Sequence, residues 1–511
     1  METGAGRDPD LSRLVEALAA VLARRGGPPL YLAGGAVRGR LVAVGCGKPE
    51  GVGSLPEPRR DLDFTLPDQA VAFARELAHE MGTTLVVLDP EHDVARVVWR
   101  GWDLDFAAFR DRVDSIEEDL SRRDFTINAM AWRFNPVGAE VSLPQSGREL
   151  LQEPGRLLDP CHGLADLRDG IIRVTHPGAF QADPLRLLRA YRFQATLAFT
   201  IESGTEKLIR RSLPAIAEVA VERIRGELEE ILAAPAGSRT LTAMAASGLL
   251  YRVLPELAAG SGLEQPESHH LDVAGHSIEA LAQLDRVLAE PARFFPESHR
   301  ELAPYLGDPL HPHREITLRW AALLHDLGKP ATRSRLGHRI SFHNHDRIGA
   351  ELCGQLARRL RFSRERRALL QRLVAHHMWP FHLNNARRRT GIKPRACLRL
   401  VRALADDLPA LFFLAMADSL AGRGPGKPPN MEAEMAALHA EVTRVAREQV
   451  SPVLRQPPLL NGHDLKDTLG LSPGPLFKEI LEGLERARVE GVVGTREQAL
   501  AWVRDFLRQR N

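Results

Sequence analysis

The sequence predicts an α+β protein: a mixed-sheet domain over roughly the first 150 residues, followed by a chain that is almost entirely helical. Three observations set that division. Between Tyr31 and Phe109, short apolar or alternating runs are interleaved with amphipathic stretches, the pattern of a sheet covered by helices. Beyond about residue 160, apolar residues recur at helical spacing. Gly- and Pro-rich stretches at Gly260–Pro266 and Gly422–Pro429 punctuate the helical part, and no segment repeats at a solenoid period.

In order, Leu11–Arg24 reads as an amphipathic helix and Tyr31–Ala33 as a short strand broken by Gly34-Gly35, with a helix from Ala36. Gly45–Pro58 reads as a loop. Asp61–Leu66 is strand-like, Asp68–Glu80 helical, and Thr84–Leu88, Ala95–Trp99 and Trp102–Phe109 are strands. The resulting division is an N-terminal helix (1–27), a head (28–150), a helical neck (151–260), a His-rich helical domain (268–421), a linker (422–430) and a helical tail (431–511). A Pro-rich stretch, Pro291–Pro312, interrupts the His-rich block.

Composition excludes several classes. The 511 residues are enough for several cores, and 44% hydrophobic with 26% charged residues excludes a collagen-like or disordered chain. Cys46, Cys161, Cys353 and Cys397 are scattered without a CxxC pair, which argues against a disulfide scaffold and a cysteine zinc site. The N-terminus has no apolar stretch of signal-peptide kind, and the most apolar windows, such as Leu408–Ala417, are too short to span a bilayer. A cytoplasmic location follows as the expectation. The formal charge is only +2, yet Leu356–Arg399 holds thirteen Lys or Arg against the single acid Glu365. Near-neutrality is therefore a cancellation, and the basic window suits contact with a phosphate backbone.

The chemistry concentrates in a few patterns. Asp61 and Asp63, in DLDFTL, lie at i and i+2 of a strand and share a face, where two carboxylates can hold divalent cations. Upstream, Gly34-Gly35-Ala-Val-Arg38 sits at a strand-to-helix turn: the glycines permit close approach of a phosphate, the helix start favours anions, and Arg38 adds bidentate contacts. It is not a Walker loop. Asp105 is a candidate third carboxylate, and Asp103 competes for that place. The cluster Asp119-Leu-Ser-Arg122-Arg123-Asp124-Phe-Thr-Ile-Asn128 leads into an expected apolar helix. In DPLRLLRAYR, Asp183 stands at a helix start with Pro184 as its first residue, and Arg186, Arg189 and Arg192 run along one side. An Asp and an Arg together can hydrogen-bond the Watson–Crick edge of a free base.

In combination these motifs resemble the bacterial CCA-adding tRNA nucleotidyltransferase and poly(A) polymerase family of the polymerase-β superfamily. The resemblance runs over about residues 28–260 through GGAVR, DLD, RRDFTINA, the Asp159–Leu167 segment, DPLRLLRAYRF and VERIRGELEEIL at Val221–Leu232. It implies a polymerase-β-like head in which Asp61 and Asp63 bind catalytic Mg2+ and Asp105 is the third carboxylate. Gly34, Gly35 and Arg38 would hold the triphosphate, and Arg122 and Arg123 would contact ribose or phosphate. Asp183 and Arg186 would template the incoming base of ATP or CTP, with Arg189 and Arg192 supporting the nucleotide. The tRNA 3′-hydroxyl would attack the α-phosphate and release pyrophosphate. Gly39 stands where the family usually has Asp, and Ala182 where it has Glu. The segment Arg110–Glu118 is short where the family carries a flexible loop that helps switch from CTP to ATP. CCA, CC-only, A-only and poly(A) products all remain open.

A second pattern lies downstream. His276, His325-Asp326 and Asp418 form an H…HD…D series that resembles the HD metal-dependent phosphohydrolases, with His345 and either His376 or His377 as additional ligands or phosphate contacts. Histidine with carboxylate suits a divalent transition metal. The resemblance implies phosphatase or cyclic phosphodiesterase activity; the alternative is a structural helical module that supports RNA and retains a weak metal site. Arg387, Arg388 and Arg389 are the candidate RNA contacts. An HD phosphohydrolase with an RNA-binding head and a non-catalytic RNA-binding factor are the alternatives from other classes. The sequence gives no sign of an oligomeric state.

Overall fold

Alternation in two strands organises the first half of the molecule. In β2 (Asp61–Leu66) and β5 (Trp102–Ala108), Leu62, Phe64, Leu104 and Phe106 are buried on one face. Asp61, Asp63, Asp103 and Asp105 occupy the other. The strands run parallel, with Asp61 beside Asp103 and Asp63 beside Asp105. They are central in a seven-stranded sheet completed by β1 (Tyr31–Ala33), β3 (Thr84–Asp89), β4 (Val94–Trp99), β6 (Ala131–Arg133) and β7 (Leu157–Leu158), in the order β3-β4-β5-β2-β1-β6-β7. The other neighbouring pairs are antiparallel, so the sheet is mixed, as expected.

The three helices expected along this part of the chain form: α1 (Pro9–Arg24), α2 (Gly35–Ala43) and α3 (Ala70–Met81). Phe73 of α3 lies 5.4 Å from the Phe106 ring, which stacks on Phe64 at 5.0 Å; helix α3 thus closes the apolar face. Gln69, at the start of α3, gives no side-chain cap. Asp93 supplies it from the β3–β4 turn, accepting from the Ala70 and Val71 N–H groups at 2.7 and 2.8 Å.

The computed structural model describes residues 9–46, 61–135, 140–153, 155–337 and 339–510. The chain divides into two units, Met1–Val253 and Leu254–Asn511. Most of the predicted Gly45–Pro58 loop lies outside the described residues. One predicted helix is absent: after RRDFTIN the chain makes a single 3₁₀ turn, Thr126–Asn128, and then enters β6. Its apolar residues are claimed by pairing with β1 and β7, so tertiary pairing overrides the local pattern.

The neck is helical, with a short parallel pairing of Ile171–Ile172 against Thr200–Ile201. Asp159 caps the helix Gly163–Asp169, accepting from the Gly163 and Leu164 N–H groups at 2.6 and 2.9 Å. A Cβ on Gly163 would sit 2.1 Å from the Thr126 carbonyl oxygen, so this position requires glycine. Asp166 accepts from Thr126 Oγ1 at 2.7 Å and from Arg173.

In the second unit the helix Leu408–Ala421 is apolar on all sides and is buried accordingly. Among the described residues, no helix is long and apolar enough to cross a membrane. Three expectations are corrected here. The Pro-rich stretch holds the short helices Pro291–Phe294 and His299–Leu302. The His-rich block contains a hairpin, Arg333–Leu336 against Arg339–Phe342. The supposed linker after Ala421 is packed: Gly424 and Gly426 donate to the Ser268 and Glu267 carbonyls at 2.9 and 3.0 Å, and a Cβ on Gly424 would lie 2.0 Å from the Glu267 oxygen. Its glycines serve close approach rather than freedom. The tail has its own apolar cluster, including Leu460, Leu465, Ile480, Leu484, Ala499 and Val503.

His439, in the helix Met431–Val445, is buried against Phe295 and Phe412 and bonds Ser298 Oγ at 2.6 Å. Burial pushes its imidazole down to about 4. Both folded and unfolded chains hold it neutral above pH 6.5, whereas below that the unfolded chain binds the proton first. Stability is therefore expected to fall as pH drops from about 6.5 to 4, by up to about 3 kcal/mol from this residue. Amide exchange across Met431–Val445 should accelerate over that range, and a His439→Gln variant should show a shallower acid limb.

Candidate active sites

The first site is the acidic face of the sheet. Asp61, Asp63, Asp103 and Asp105 occupy adjacent positions on two parallel strands, about 4.8 Å apart across the ladder. Burial, opposed by Arg123, and the nearby carboxylates of Asp61 and Asp105 push the Asp63 carboxyl above its usual range. Crowded hard oxygen donors of this kind fit a divalent cation such as Mg2+. Asp105 joins the face as expected, but both its oxygens are taken by Arg96, with Nε and Nη2 donating at 2.7 Å each. Asp103 accepts from Nη1 of the same arginine at 2.9 Å.

The glycine turn closes on this face. Gly34 adopts φ 67, and a Cβ there would lie 3.3 Å from Arg123 Nη1 and 3.6 Å from Asp63 Oδ2. One on Gly35 would lie 3.8 Å from Asp63 Oδ2. The turn, Arg123 and Asp63 thus lie close together, and the left-handed backbone at Gly34 favours glycine there. Arg123 is buried and anchored by Asp119 Oδ2 at 3.2 Å.

A cluster of cations lies alongside. Arg38, Arg189 and Arg192 approach the Phe193 ring with guanidinium carbons at 4.7, 5.7 and 4.3 Å from its centroid. Burial and the neighbouring Arg192 lower Arg38 to about 10, opposed by Asp124. Asp124 is the buried counter-charge. It accepts from Arg189 Nη2 at 2.6 Å, from Asn128 at 3.0 Å and from the Phe125 N–H at 2.8 Å. Despite burial, these partners hold it well below the usual carboxylate range. Asn128 also accepts from Arg38. Three arginines thus converge around one buried acid, an arrangement whose chemistry suits a polyanion.

The predicted base-reading helix begins at Arg186, two residues later than expected, and runs to Leu197. Pro184 is therefore not its first residue. Asp183, in extended backbone, accepts from the Leu185 N–H at 3.1 Å. Arg223 donates to its other oxygen at 3.0 Å. Arg186 donates to the Arg122 carbonyl at 3.2 Å and, more weakly, to those of Arg123 and Ala179. Arg192 pairs with Glu227 at 2.7 Å. Arg223 and Glu227 belong to the helix Val221–Ala233, so VERIRGELEEIL holds Asp183 and Arg192 in place.

Arg122 is not brought to the carboxylates. Its guanidinium pairs with Asp111 at 2.6 Å and Glu118 at 3.0 Å. Together with the Arg110–Asp119 pair at 3.1 Å, these bonds tie down the short segment before α4 (Ile116–Ser121). Asp111 and Arg112 in that segment both have positive φ, 52 and 55. Sequence reasoning missed the supporting roles of Asp119, Asp124, Arg223 and Glu227. The signal was their place inside quoted motifs.

The second site is a histidine centre. His276 Nε2 lies 3.0 Å from Asp418 Oδ1 and 3.7 Å from Asp326 Oδ2. His325 Nε2 lies 3.2 Å from Asp326 Oδ2 and 3.6 Å from Asp418 Oδ1. The four expected residues therefore converge. His377, not His376, completes the set with His345: their Nε2 atoms are 3.2 Å apart and 3.9 and 3.5 Å from Asp326 Oδ1. His376 lies against Trp379 instead. His269 was missed; it stands with His276 and Asp418 as a further possible ligand. Gly328 makes the centre possible, since a Cβ there would lie 2.1 Å from the His345 carbonyl oxygen.

Each of His325, His345 and His377 directs Nδ1 to a backbone carbonyl, at 2.9, 2.7 and 2.7 Å, which turns Nε2 inward. His325 Nε2 is buried, with Asp326 Oδ2 at 3.2 Å and Asp418 Oδ1 at 3.6 Å as its nearest acceptors. Burial opposes its charge, but Asp326 and Asp418 outweigh it and push His325 up to about 10. Burial and the neighbouring His325 hold His377 down to about 4. Buried carboxylates and inward-facing imidazole nitrogens within reach of one another form a donor set that suits a divalent metal.

The basic segment is less exposed in charge than its sequence suggests. Arg359 pairs with Glu256 at 2.7 Å, Arg372 with Asp407 at 2.5 Å, and Arg387 with Glu441 at 2.8 Å. Arg388 pairs with Glu434. The charge counted along Leu356–Arg399 is thus partly neutralised by acids distant in sequence. Arg389 is exposed and has no ion pair among the described residues.

A carboxylate-bearing mixed sheet closed by a glycine turn and arginines defines a metal-dependent nucleotidyltransferase head, here in one chain with an HD domain. Residues 30–173 match the poly A polymerase head domain family, 198–260 the probable RNA and SrmB-binding site of polymerase A, and 274–420 the HD domain. The A-adding tRNA nucleotidyltransferase of Deinococcus radiodurans is 36% identical over 93% of this chain and 95% of its own. The CC-adding tRNA nucleotidyltransferase of Thermus thermophilus is 32% identical over 87% and 88%. A solved CCA-adding enzyme with ATP shares the fold at TM-score 0.60 and 21% identity, covering 98% of this chain and 96% of that one. The chain belongs to the bacterial tRNA nucleotidyltransferase and poly(A) polymerase family.

Proposed function

We propose that this protein is a cytoplasmic enzyme that adds nucleotide to the 3′ end of tRNA, and that the nucleotide is A. The observation that carries transfer is the convergence of Asp61 and Asp63 with the Gly34-Gly35 turn, Arg38 and Arg123. Asp61 and Asp63 would hold Mg2+, which when bound supplies neutralisation of phosphate charge and activation of the attacking oxygen. The glycine turn admits the triphosphate, and Arg38 and Arg123 face its charge. Asp183 and Arg186, held by Arg223 and by backbone carbonyls, present an acceptor and donors to the base. Attack of the 3′-hydroxyl on the α-phosphate then forms the new ester and releases pyrophosphate.

The A-adding relative, matched along 95% of its length, supports the choice of A. The tethered segment before α4 supports a single specificity, because a pocket that must switch from CTP to ATP needs a mobile element there. Purified enzyme is expected to extend a tRNA lacking only its terminal A with ATP, and to leave one lacking CCA unextended with CTP. Resolution of products by single nucleotides checks this. Processive addition of A would favour poly(A) synthesis instead.

We also infer that the HD domain hydrolyses phosphate esters with a transition metal held by His276, His325, Asp326 and Asp418. A His325→Ala variant is expected to lose at least about a hundredfold in phosphodiesterase activity while extending tRNA normally. Arg389 is a candidate RNA contact, with Arg387 and Arg388 available only at the expense of their glutamates.

A further inference from the structure

VARVVW reads as an ordinary strand, and sequence reasoning gives Arg96 no role. In the structure Arg96 pairs with Asp105 across β4 and β5, and Asp105 with Asp63 across β5 and β2. Directly opposed residues share a face, so Asp63, Asp105 and Arg96 form one row across three strands. The guanidinium forks both oxygens of Asp105 and reaches Asp103 with its remaining nitrogen. Asp63 makes no such fork among the described residues.

A forked carboxylate has its best acceptor directions occupied. A hard divalent cation needs the same lone pairs. Arg96 and a cation therefore compete for Asp105. Resting on the reading of this face as the nucleotidyl-transfer metal site, we propose that Arg96 is a positioning residue that keeps Asp105 out of the metal shell of the free enzyme. Asp61 and Asp63 then form the ion-holding pair. Cation uptake stays weak until the nucleotide brings its own phosphate oxygens, which couples metal binding to substrate.

Mn2+ binding to the full-length protein without nucleotide, followed by electron paramagnetic resonance, tests this. The signal lost on Asp63→Asn defines the head's share and separates it from the histidine centre. Arg96→Ala is expected to tighten that share about tenfold by freeing Asp105. Simple removal of a positive charge would also tighten binding, so charge-matched variants decide. Arg96→Lys keeps the charge but cannot fork, and is expected to tighten binding by a smaller factor. Arg96→Ala with Asp105→Asn should return to wild type, whereas Arg96→Ala with Asp103→Asn should keep most of the gain. Thermal melts identify folded variants. The proposal is overturned if Arg96→Lys binds Mn2+ no tighter than wild type, or if the two double variants bind alike. If Asp63→Asn removes no Mn2+ binding from the Arg96→Ala protein, in which Asp105 is free, the metal-site reading itself fails, whatever the other variants do.

Discussion

Asp63→Asn is expected to reduce nucleotide addition by at least about a thousandfold, the scale of losing a principal electrostatic element of a transition state, without lowering the melting temperature. The second half distinguishes the account. Asp63 lies among Asp61 and Asp105, and burial already disfavours its charge. Replacing it with a neutral isostere relieves that cost, so the dead variant should melt at or slightly above the wild-type temperature. The sign can also be read in pH. A carboxyl raised in the fold contributes more to stability as pH falls, and this contribution should vanish in Asp63→Asn. Single-turnover extension and calorimetry on the same samples check both. Activity within tenfold of wild type would place the metal elsewhere.

Asp124→Ala is expected to destabilise the head by about 3–5 kcal/mol, because it leaves buried arginines without their counter-charge. Asp124 accepts from Arg189, Asn128 and the Phe125 N–H, while Arg38 and Arg192 stand against the same Phe193 ring. A fall in melting temperature of roughly 10 °C follows for a unit of this size. Triphosphate should recover part of it, since the ligand supplies the missing negative charge. Melting curves with and without ATP measure both effects.

The sequence was informative where period and chemistry coincide. Asp61–Leu66 has two-residue alternation and a carboxylate pair, and the strand falls on those bounds. H…HD…D marks the histidine centre because its residue types are scarce in ordinary helices. What stayed hidden depends on contacts between distant segments. Nothing in VARVVW foretells that Arg96 will fork Asp105, and nothing near Arg387 foretells Glu441. Gly422–Pro429 has the composition of a free linker, but its glycines are spent on backbone approach to Glu267 and Ser268. The strand after Thr126–Asn128 reads locally as a helix, and only pairing with β1 and β7 decides otherwise. His269 lacked a motif partner in sequence and acquires one only through folding.

The most direct test of the central claim is extension of a tRNA lacking its terminal A, with ATP and Mg2+, by the wild-type protein and by Asp63→Asn. The account predicts one added nucleotide with pyrophosphate release by the first and none by the second. Extension that survives in Asp63→Asn, or no extension by the wild type, would contradict it.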